Sequence, residues 1–235
     1  MTKTQNMSTL CIHGGEISDV LGSPSMPLYD TTTFCFDSTA DLLAVVKGDK
    51  NGYLYTRYGM NPSIKAIESK LAMLDGAEQS LAFSSGMAAI SSLFLTYARR
   101  GIICVGDIYG GTMQLLTQQL PELGIVTYFV DSTDLEQLEQ RLKSGVDLVF
   151  FETPSNPTLK IIDIAEIASL AHKYDALVAV DNTFASPANQ KPLLLGADFA
   201  IQSATKFLGG HSDLTAGVLS GKADYLHKVN AWRKN

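Results

Sequence analysis

The sequence predicts an α/β protein built on a mainly parallel sheet, and three observations carry that expectation. From about Ala77 onward, short apolar runs alternate with amphipathic stretches, as consecutive βαβ units require. Each clear run stops at a polar residue or a turn, where a parallel strand hands over to its crossover. The chain has 235 residues, of which 46% are hydrophobic and 18% charged, enough apolar material for a large core and too much for a disordered chain.

The first seventy or so residues are rich in Gly, Pro, Ser and Thr, with tight-turn signals at Gly14-Gly15 and Asn61-Pro62. They read as an arm of loops and short helices, and the expected division is an arm over 1–60 and an α/β domain over 61–235. Phe83-Ser84-Ser85-Gly86-Met87-Ala88-Ala89-Ile90 reads as a small-residue turn that opens a helix running on through Leu93, Phe94 and Tyr97. Four strands follow, over Gly101 to Val105, Leu148 to Phe151, Leu177 to Val180 and Phe199 to Gln202. Between them, Leu135 to Leu142 places Leu135, Leu138 and Leu142 on one helical face. Asp163 to Tyr174 has Asp163 as an N-cap, with Ile164, Ile167, Ala168, Ala171 and Tyr174 at helical spacing. There is no internal repeat.

Composition also narrows the function. A formal charge of -6 and the absence of any basic run longer than a pair argue against nucleic acid and anionic membrane as partners. No apolar stretch reaches the roughly 18 residues of a spanning helix, and Met1 to Leu10 is polar where a secretory signal needs an apolar core, so a cytoplasmic protein is expected. Cys11, Cys35 and Cys104 are widely spaced and read as reduced packing thiols. The histidines show no paired spacing, so no metal site is assigned. A serine hydrolase is disfavoured, because the chain lacks a Gly-x-Ser-x-Gly elbow.

In an open parallel sheet, ligands gather at the carboxyl ends of the strands. The residues there are Asp107-Ile108-Tyr109-Gly110, Glu152-Thr153-Pro154-Ser155-Asn156-Pro157, Asp181-Asn182-Thr183 and Ser203-Ala204-Thr205-Lys206. Lys206 is either a snorkelling surface lysine or, with apolar surroundings, a desolvated amine suited to Schiff-base chemistry. Asp181 either caps the next turn or is a buried counterion for a protonated heteroaromatic nitrogen. The turn at Ser85-Gly86-Met87 presents backbone N–H groups and a helix dipole, a weak but real phosphate signal. Tyr53, Tyr55, Arg57 and Tyr58 are either a packed aromatic loop or the setting for an arginine that forks onto a phosphate or carboxylate.

Taken together, these segments resemble one family. Ser203-Ala204-Thr205-Lys206-Phe207-Leu208-Gly209-Gly210-His211-Ser212-Asp213, Val180-Asp181-Asn182-Thr183, Tyr55-Thr56-Arg57, Ser85-Gly86-Met87 and Asp107-Ile108-Tyr109-Gly110-Gly111-Thr112 are similar to the Cys/Met-metabolism family of pyridoxal-phosphate (PLP) enzymes. That family includes cystathionine γ-synthase, cystathionine γ- and β-lyases, methionine γ-lyase and the O-acylhomoserine sulfhydrylases. The resemblance runs in order from Ile12-His13-Gly14-Gly15 to Gly217-Val218-Leu219-Ser220-Gly221.

The resemblance implies the fold-type-I transferase architecture, with a mainly parallel seven-stranded sheet flanked by helices, and pyridoxal 5'-phosphate as cofactor. It implies that Lys206 holds the cofactor through a Schiff base and moves protons, that Asp181 keeps the pyridine nitrogen protonated, and that Tyr109 stacks on the ring and acts as acid or base. Gly86 and Met87 N–H groups with the Ser203 and Thr205 hydroxyls then seat the phosphate, and Asn156 bonds the phenolic oxygen. Tyr55 and Arg57 reach the phosphate of a neighbouring subunit, which implies a homo-oligomer, dimer or tetramer, with shared sites.

The expected activity is γ-replacement or γ-elimination on an O-acylhomoserine or cystathionine. The alternatives are β-elimination of the cystathionine β-lyase kind, and a short non-catalytic chain that binds the cofactor or an intact relative. Gly111 stands where methionine γ-lyases typically place a cysteine, which disfavours that member. Family members continue into a C-terminal domain that supplies the arginine for the substrate carboxylate. No residue here takes that role, so the resemblance implies a chain lacking that domain.

Overall fold

A computed structural model describes residues 6–17 and 21–234. In chain order the elements are α1 (Met7–His13), α2 (Thr39–Lys47), α3 (Pro62–Asp75), β1 (Gln79–Phe83), α4 (Gly86–Tyr97) and β2 (Ile102–Val105). Then α5 (Gly110–Gln114) passes through a π-helical turn into α6 (Leu120–Glu122), followed by β3 (Thr127–Val130), α7 (Leu135–Leu142), β4 (Leu148–Glu152) and α8 (Ile164–His172). The last elements are β5 (Leu177–Asp181), α9 (Ser186–Asn189), β6 (Phe199–Ser203), β7 (Gly217–Gly221) and α10 (Ala223–Lys234). The strands form one seven-stranded sheet in the order β1-β7-β6-β5-β4-β2-β3. Only β7 runs against its neighbours, so the sheet is mainly parallel, as expected.

Burial explains why these segments pair. All five residues of β4 are buried, because helices cover both faces of a central parallel strand. One face packs Phe150, Ala179, Phe199 and Ile201 against Leu93 and Phe94 of α4 and Leu226 and Val229 of α10. Phe94 meets Phe150 edge to face at 5.1 Å. The other face packs Val149, Phe151 and Val180 against Leu138 and Leu142 of α7 and Ile164 and Ile167 of α8. Helix α8 starts at the expected cap, with Asp163 accepting from the Glu166 N–H at 3.0 Å; α7 has the expected bounds, and Asp134 caps it by accepting from the Gln137 N–H.

Several segments differ from the sequence expectation. Asn61-Pro62 is not a turn but the start of α3: the Asn61 side chain accepts from the Ser63 N–H at 2.8 Å, and Pro62 occupies the first helical position, where its missing N–H costs nothing. That helix buries Leu71, Ala72 and Leu74, so core begins ahead of Ala77. In the expected arm, α1 has no buried residue and α2 only Val45, while 1–5 and 18–20 lie outside the described residues. Three strands lie outside the expected four: serines interrupt the apolar runs of β1 and β7, whereas β3, Thr127-Tyr128-Phe129-Val130, has strand composition but only four residues. Ser80 and Ser220 are buried in β1 and β7, and β3 lies at the sheet edge with Phe129 exposed. Cys104 packs in the core, whereas Cys11 and Cys35 are exposed, so the packing expectation holds for Cys104 alone.

The two serines belong to a buried polar knot. Asp75, the last residue of α3, accepts from Gln202 Nε2 at 2.8 Å and from Ser220 Oγ at 2.5 Å, and the Ser80 and Ser220 hydroxyls lie 2.6 Å apart. Gln202 Oε1 is buried without a hydrogen-bond partner among the described residues. Burial pushes the Asp75 carboxyl up to about 6 from 3.8, against the opposing pull of Ser220, Gln202 and the Lys191 charge. Because the folded pKa is raised, the native state holds this proton to higher pH than the unfolded chain does. The contribution is greatest below about pH 4 and is lost as pH climbs through about 6, an effect of about 3 kcal/mol for a shift near two units. Asp75→Asn keeps the shape but cannot ionise. Urea unfolding at pH 4.5 and pH 7.5 should therefore show a difference between the two chains that moves by about 2 kcal/mol in favour of the variant at the higher pH. Parallel pH profiles would disprove the assignment.

Candidate active site

Strand register decides which side chains meet. Glu152 at the end of β4 is the direct neighbour of Asp181 at the end of β5, and Asp181 is paired in turn with Ile201 of β6. In a parallel ladder, registered residues point to the same face, and alternation along each strand adds every second residue. Glu152 follows Phe150, Asp181 follows Ala179 and Ser203 follows Ile201, all on the face that carries α4. Three polar side chains therefore converge at one carboxyl edge of the sheet.

The first turn of α4 closes that edge from above. Ser85 is its N-cap and accepts from the Ala88 N–H at 3.1 Å, while the N–H groups of Gly86 and Met87 have no intrahelical acceptor. Contact with the sheet is tight enough to require glycine at two places. A Cβ on Gly86 would lie 2.9 Å from Ser203 Cβ, and one on Gly217 would lie 2.0 Å from the Ser85 carbonyl oxygen. Thus the positive end of the helix dipole sits directly over the end of β6.

Asp181 is tied by one oxygen only. Its Oδ1 accepts from the Thr183 N–H at 2.9 Å and the Thr183 hydroxyl at 2.5 Å, and that hydroxyl accepts in turn from the Ser203 N–H at 2.8 Å. No bond to Oδ2 is present among the described residues. Burial raises the Asp181 carboxyl above its ordinary range, and the Thr183 bonds oppose that. Glu152 is 4% exposed; burial and the Asp181 charge push it up to about 7, although the backbone N–H groups of Tyr109 and Asn156 pull the other way.

The remaining candidates fall into two groups. Tyr109 sits at the start of α5, its N–H bonded to Glu152 at 2.7 Å, and a Cβ on Gly111 would lie 2.6 Å from its ring. The loops that carry Tyr109 and Asn156 are joined on the solvent side by Asp107, which takes Thr158 Oγ1 at 2.8 Å and Lys160 Nζ at 3.1 Å. Ser203 Oγ has no partner among the described residues, whereas the Thr205 hydroxyl donates to the Ala216 carbonyl at 3.3 Å and accepts from its N–H at 3.1 Å. Lys206 corrects one expectation. Its surroundings are not apolar: the side chain is exposed, beside the exposed Phe207, and its amine makes no bond or ion pair among the described residues. The second group is Tyr55 and Arg57. Arg57 lies 5.4 Å from the Tyr55 ring centre and 5.3 Å from that of Tyr58, and it donates to the Lys234 carbonyl at 2.6 Å. No hydrogen bond or ring contact links either residue to Asp181, Tyr109 or Lys206 among the described residues.

Sequence reasoning placed Thr183 and Glu152 at the strand ends but gave neither a role. Thr183 carries the Asp181 to Ser203 connection, and Glu152 holds two loops at once. A signal existed for Glu152, since a carboxylate directly after Leu-Val-Phe-Phe repeats the placing of Asp181 after Leu-Val-Ala-Val.

Comparison with known proteins agrees with this geometry. The chain is 41% identical over 230 residues to an L-methionine gamma-lyase of Fusobacterium nucleatum subsp. nucleatum, covering 97% of this chain and 58% of that one. It is 43% identical over 223 residues to a cystathionine beta-lyase of Lactococcus lactis subsp. cremoris, covering 94% and 56%. The solved structure of metB from Corynebacterium glutamicum superposes with a TM-score of 0.90 at 37% identity, covering 98% of this chain and 59% of that one. The chain thus spans a little over half the length of the relatives it matches, and their names divide between γ- and β-lyases, so overall similarity does not follow the Gly111 argument against methionine γ-lyase. The family described as Cys/Met metabolism PLP-dependent enzymes matches residues 8–235, and with a sheet edge, helix turn and lysine loop arranged in this way, the chain belongs to that family.

Proposed function

We propose that this chain binds pyridoxal 5'-phosphate at the β4-β5-β6 edge and serves a transsulfuration reaction, γ-replacement or γ-elimination on an O-acylhomoserine or cystathionine. The observation that supports it best is the meeting of Asp181, the α4 N-terminus and the Lys206 turn at one edge, because the three ends of the cofactor require those three chemistries. Gly86 and Met87 N–H groups and the unpartnered Ser203 hydroxyl supply donors for a phosphate. Asp181 Oδ2 is left to hold the proton of a ring nitrogen, and the Lys206 amine is free to react with a carbonyl. Thr205 fits less directly, since its hydroxyl proton serves Ala216 and has to change partner before it can donate to a phosphate.

When bound, the cofactor supplies an electron sink that stabilises negative charge at the substrate Cα. The chain's residues do the rest in this reading. Asp181 keeps the ring nitrogen cationic, Lys206 Nζ takes and returns protons, and Tyr109 covers the ring and acts near the leaving group. Asn156 donates to the phenolic oxygen, while Tyr55 and Arg57 act across an oligomer interface on a partner's phosphate. A second reading, β-elimination on cystathionine, is favoured by the 43% identity to the lactococcal β-lyase. Products decide between them: cysteine with 2-oxobutyrate marks γ-elimination, and homocysteine with pyruvate marks β-elimination.

Borohydride reduction of the protein loaded with pyridoxal phosphate, followed by peptide mapping, should place the pyridoxyl group on Lys206; an adduct elsewhere overturns that assignment. Asp181→Asn should retain bound cofactor but lose Cα-proton exchange by about 100-fold or more, as expected when a fixed charge is removed from a site of developing charge. Exchange at the parent rate would refute the Asp181 role. Arg57→Ala should weaken cofactor retention roughly 10- to 100-fold, the worth of one charge-assisted phosphate bond. Mixed with Lys206→Ala, it should recover part of the turnover through hybrid sites. Confirmed hybrids without recovery would mean that each site is built from one chain.

A further inference from the structure

We infer that Glu152 is the positioning residue of this site: one buried carboxylate holds the backbone of both Tyr109 and Asn156, and so fixes the residue that covers the cofactor ring and the residue that meets its edge. The inference rests on the proposed cofactor site for its purpose, but not for its geometry. Glu152 Oε1 takes the Tyr109 N–H at 2.7 Å, and the same carboxylate takes the Asn156 N–H. The two residues belong to different crossovers, one after β2 and the other after β4, so no local turn can set their separation. Asp107, with Thr158 and Lys160, joins these loops only on the exposed side. On the buried side that task falls to Glu152.

Energetics make the arrangement purposeful. Glu152 is desolvated beside Asp181 on β5 and faces Cys104 on β2, whose thiol its charge helps to push up. None of these neighbours is cationic, and no ion pair to Glu152 forms among the described residues. An apolar residue at 152 would remove that repulsion but would strand two N–H groups. An acid in that place satisfies both when ionised and only one well when protonated, because the neutral group keeps a single strong acceptor. The hold on the two loops therefore varies with the charge on Glu152, which lies near its balance point around neutrality.

The test uses the whole chain and two readouts. In protein prepared without cofactor, the Tyr109 backbone amide should shift in a nitrogen–proton correlation spectrum as pH is raised from 5 to 9, and Glu152→Gln should abolish that titration. Glu152→Gln keeps the shape and one acceptor, so its melting temperature controls for a merely structural effect. Its affinity for pyridoxal phosphate should fall about tenfold, the loss of one buried hydrogen bond to a charged group. Glu152→Asp, one methylene too short to reach Tyr109, should lose more than Gln does. A Tyr109 amide that ignores pH, a titration that persists in Glu152→Gln, or unchanged affinity with the Gln variant folded would each overturn the inference. If the parent chain binds no pyridoxal phosphate, the proposed function fails, while the amide titration still decides Glu152 by itself.

Discussion

The register between β4 and β5 is the constraint on which the site depends. Pairing Glu152 with Asp181 puts two carboxylates side by side on one face, and a slip of a single residue would turn one of them into the opposite core among Phe151 and Val180. What holds the register is the apolar run behind it. Leu148 to Phe151 and Val178 to Val180 are buried on both faces, so any shift exposes or misplaces several large side chains at once. The core therefore does more than stabilise the fold; it sets the separation of two charges that repel each other. Four polar acceptors and donors, Thr183, Ser203 and the Tyr109 and Asn156 amides, then fit around that fixed pair.

Helix α4 completes the edge through close packing of a different kind. Its N-terminus can reach Ser203 because neither Gly86 nor Gly217 has a side chain to hold it away. A helix end brought that near a strand end delivers unsatisfied N–H groups next to a hydroxyl, an arrangement suited to an anion. The buried carboxylates lie beyond it on the same face. In the proposed site, an anion seat and an acidic seat held apart by the sheet's own spacing would discriminate the two ends of a ligand that is anionic at one end and cationic at the other.

Much of this was legible in the sequence, and the parts that were not have physical reasons. Strands β2, β4, β5 and β6 announced themselves because parallel strands buried on both faces must be apolar throughout. The cap at Asp163 was legible because capping is a local matter of side chain and backbone. β7 stayed hidden since its neighbours satisfy Ser220 through Asp75 and Ser80, partners 145 and 140 residues away in sequence. The start of α3 was misread because Asn-Pro serves equally as a turn and as a cap followed by a first helical proline. For the site, the individual chemistries of Lys206, Asp181 and the Gly86 turn were visible, whereas Glu152 was not, because its part depends on which strand lies beside it. Which of the two readings of Lys206 holds was undecided for a similar reason. Two glycines and a leucine after it suggested an apolar nest, but the chain turns at Ser203 to Gly209 and carries the lysine outward.

The pair of carboxylates also bears on what the proposed site would select for. Glu152 is raised from 4.5 to about 7, so ionising it in place costs about 3 kcal/mol more than in water, and Asp181 is raised as well. No lysine or arginine of the described chain pairs with either of them, although such a partner is the usual means of stabilising a buried acid. The fold thus keeps an electrostatic cost that either a proton or a cationic group from outside relieves. A protonated ring nitrogen placed against Asp181 Oδ2 would relieve it, and the energy set against the two charges would then favour holding that proton on the nitrogen. Neutral rings of the same shape gain nothing from the arrangement, because they bring no charge to offset the cost of desolvation. In the proposed site, selectivity for a cationic heteroaromatic ring would follow from the absence of a partner cation among the described residues as much as from the presence of Asp181.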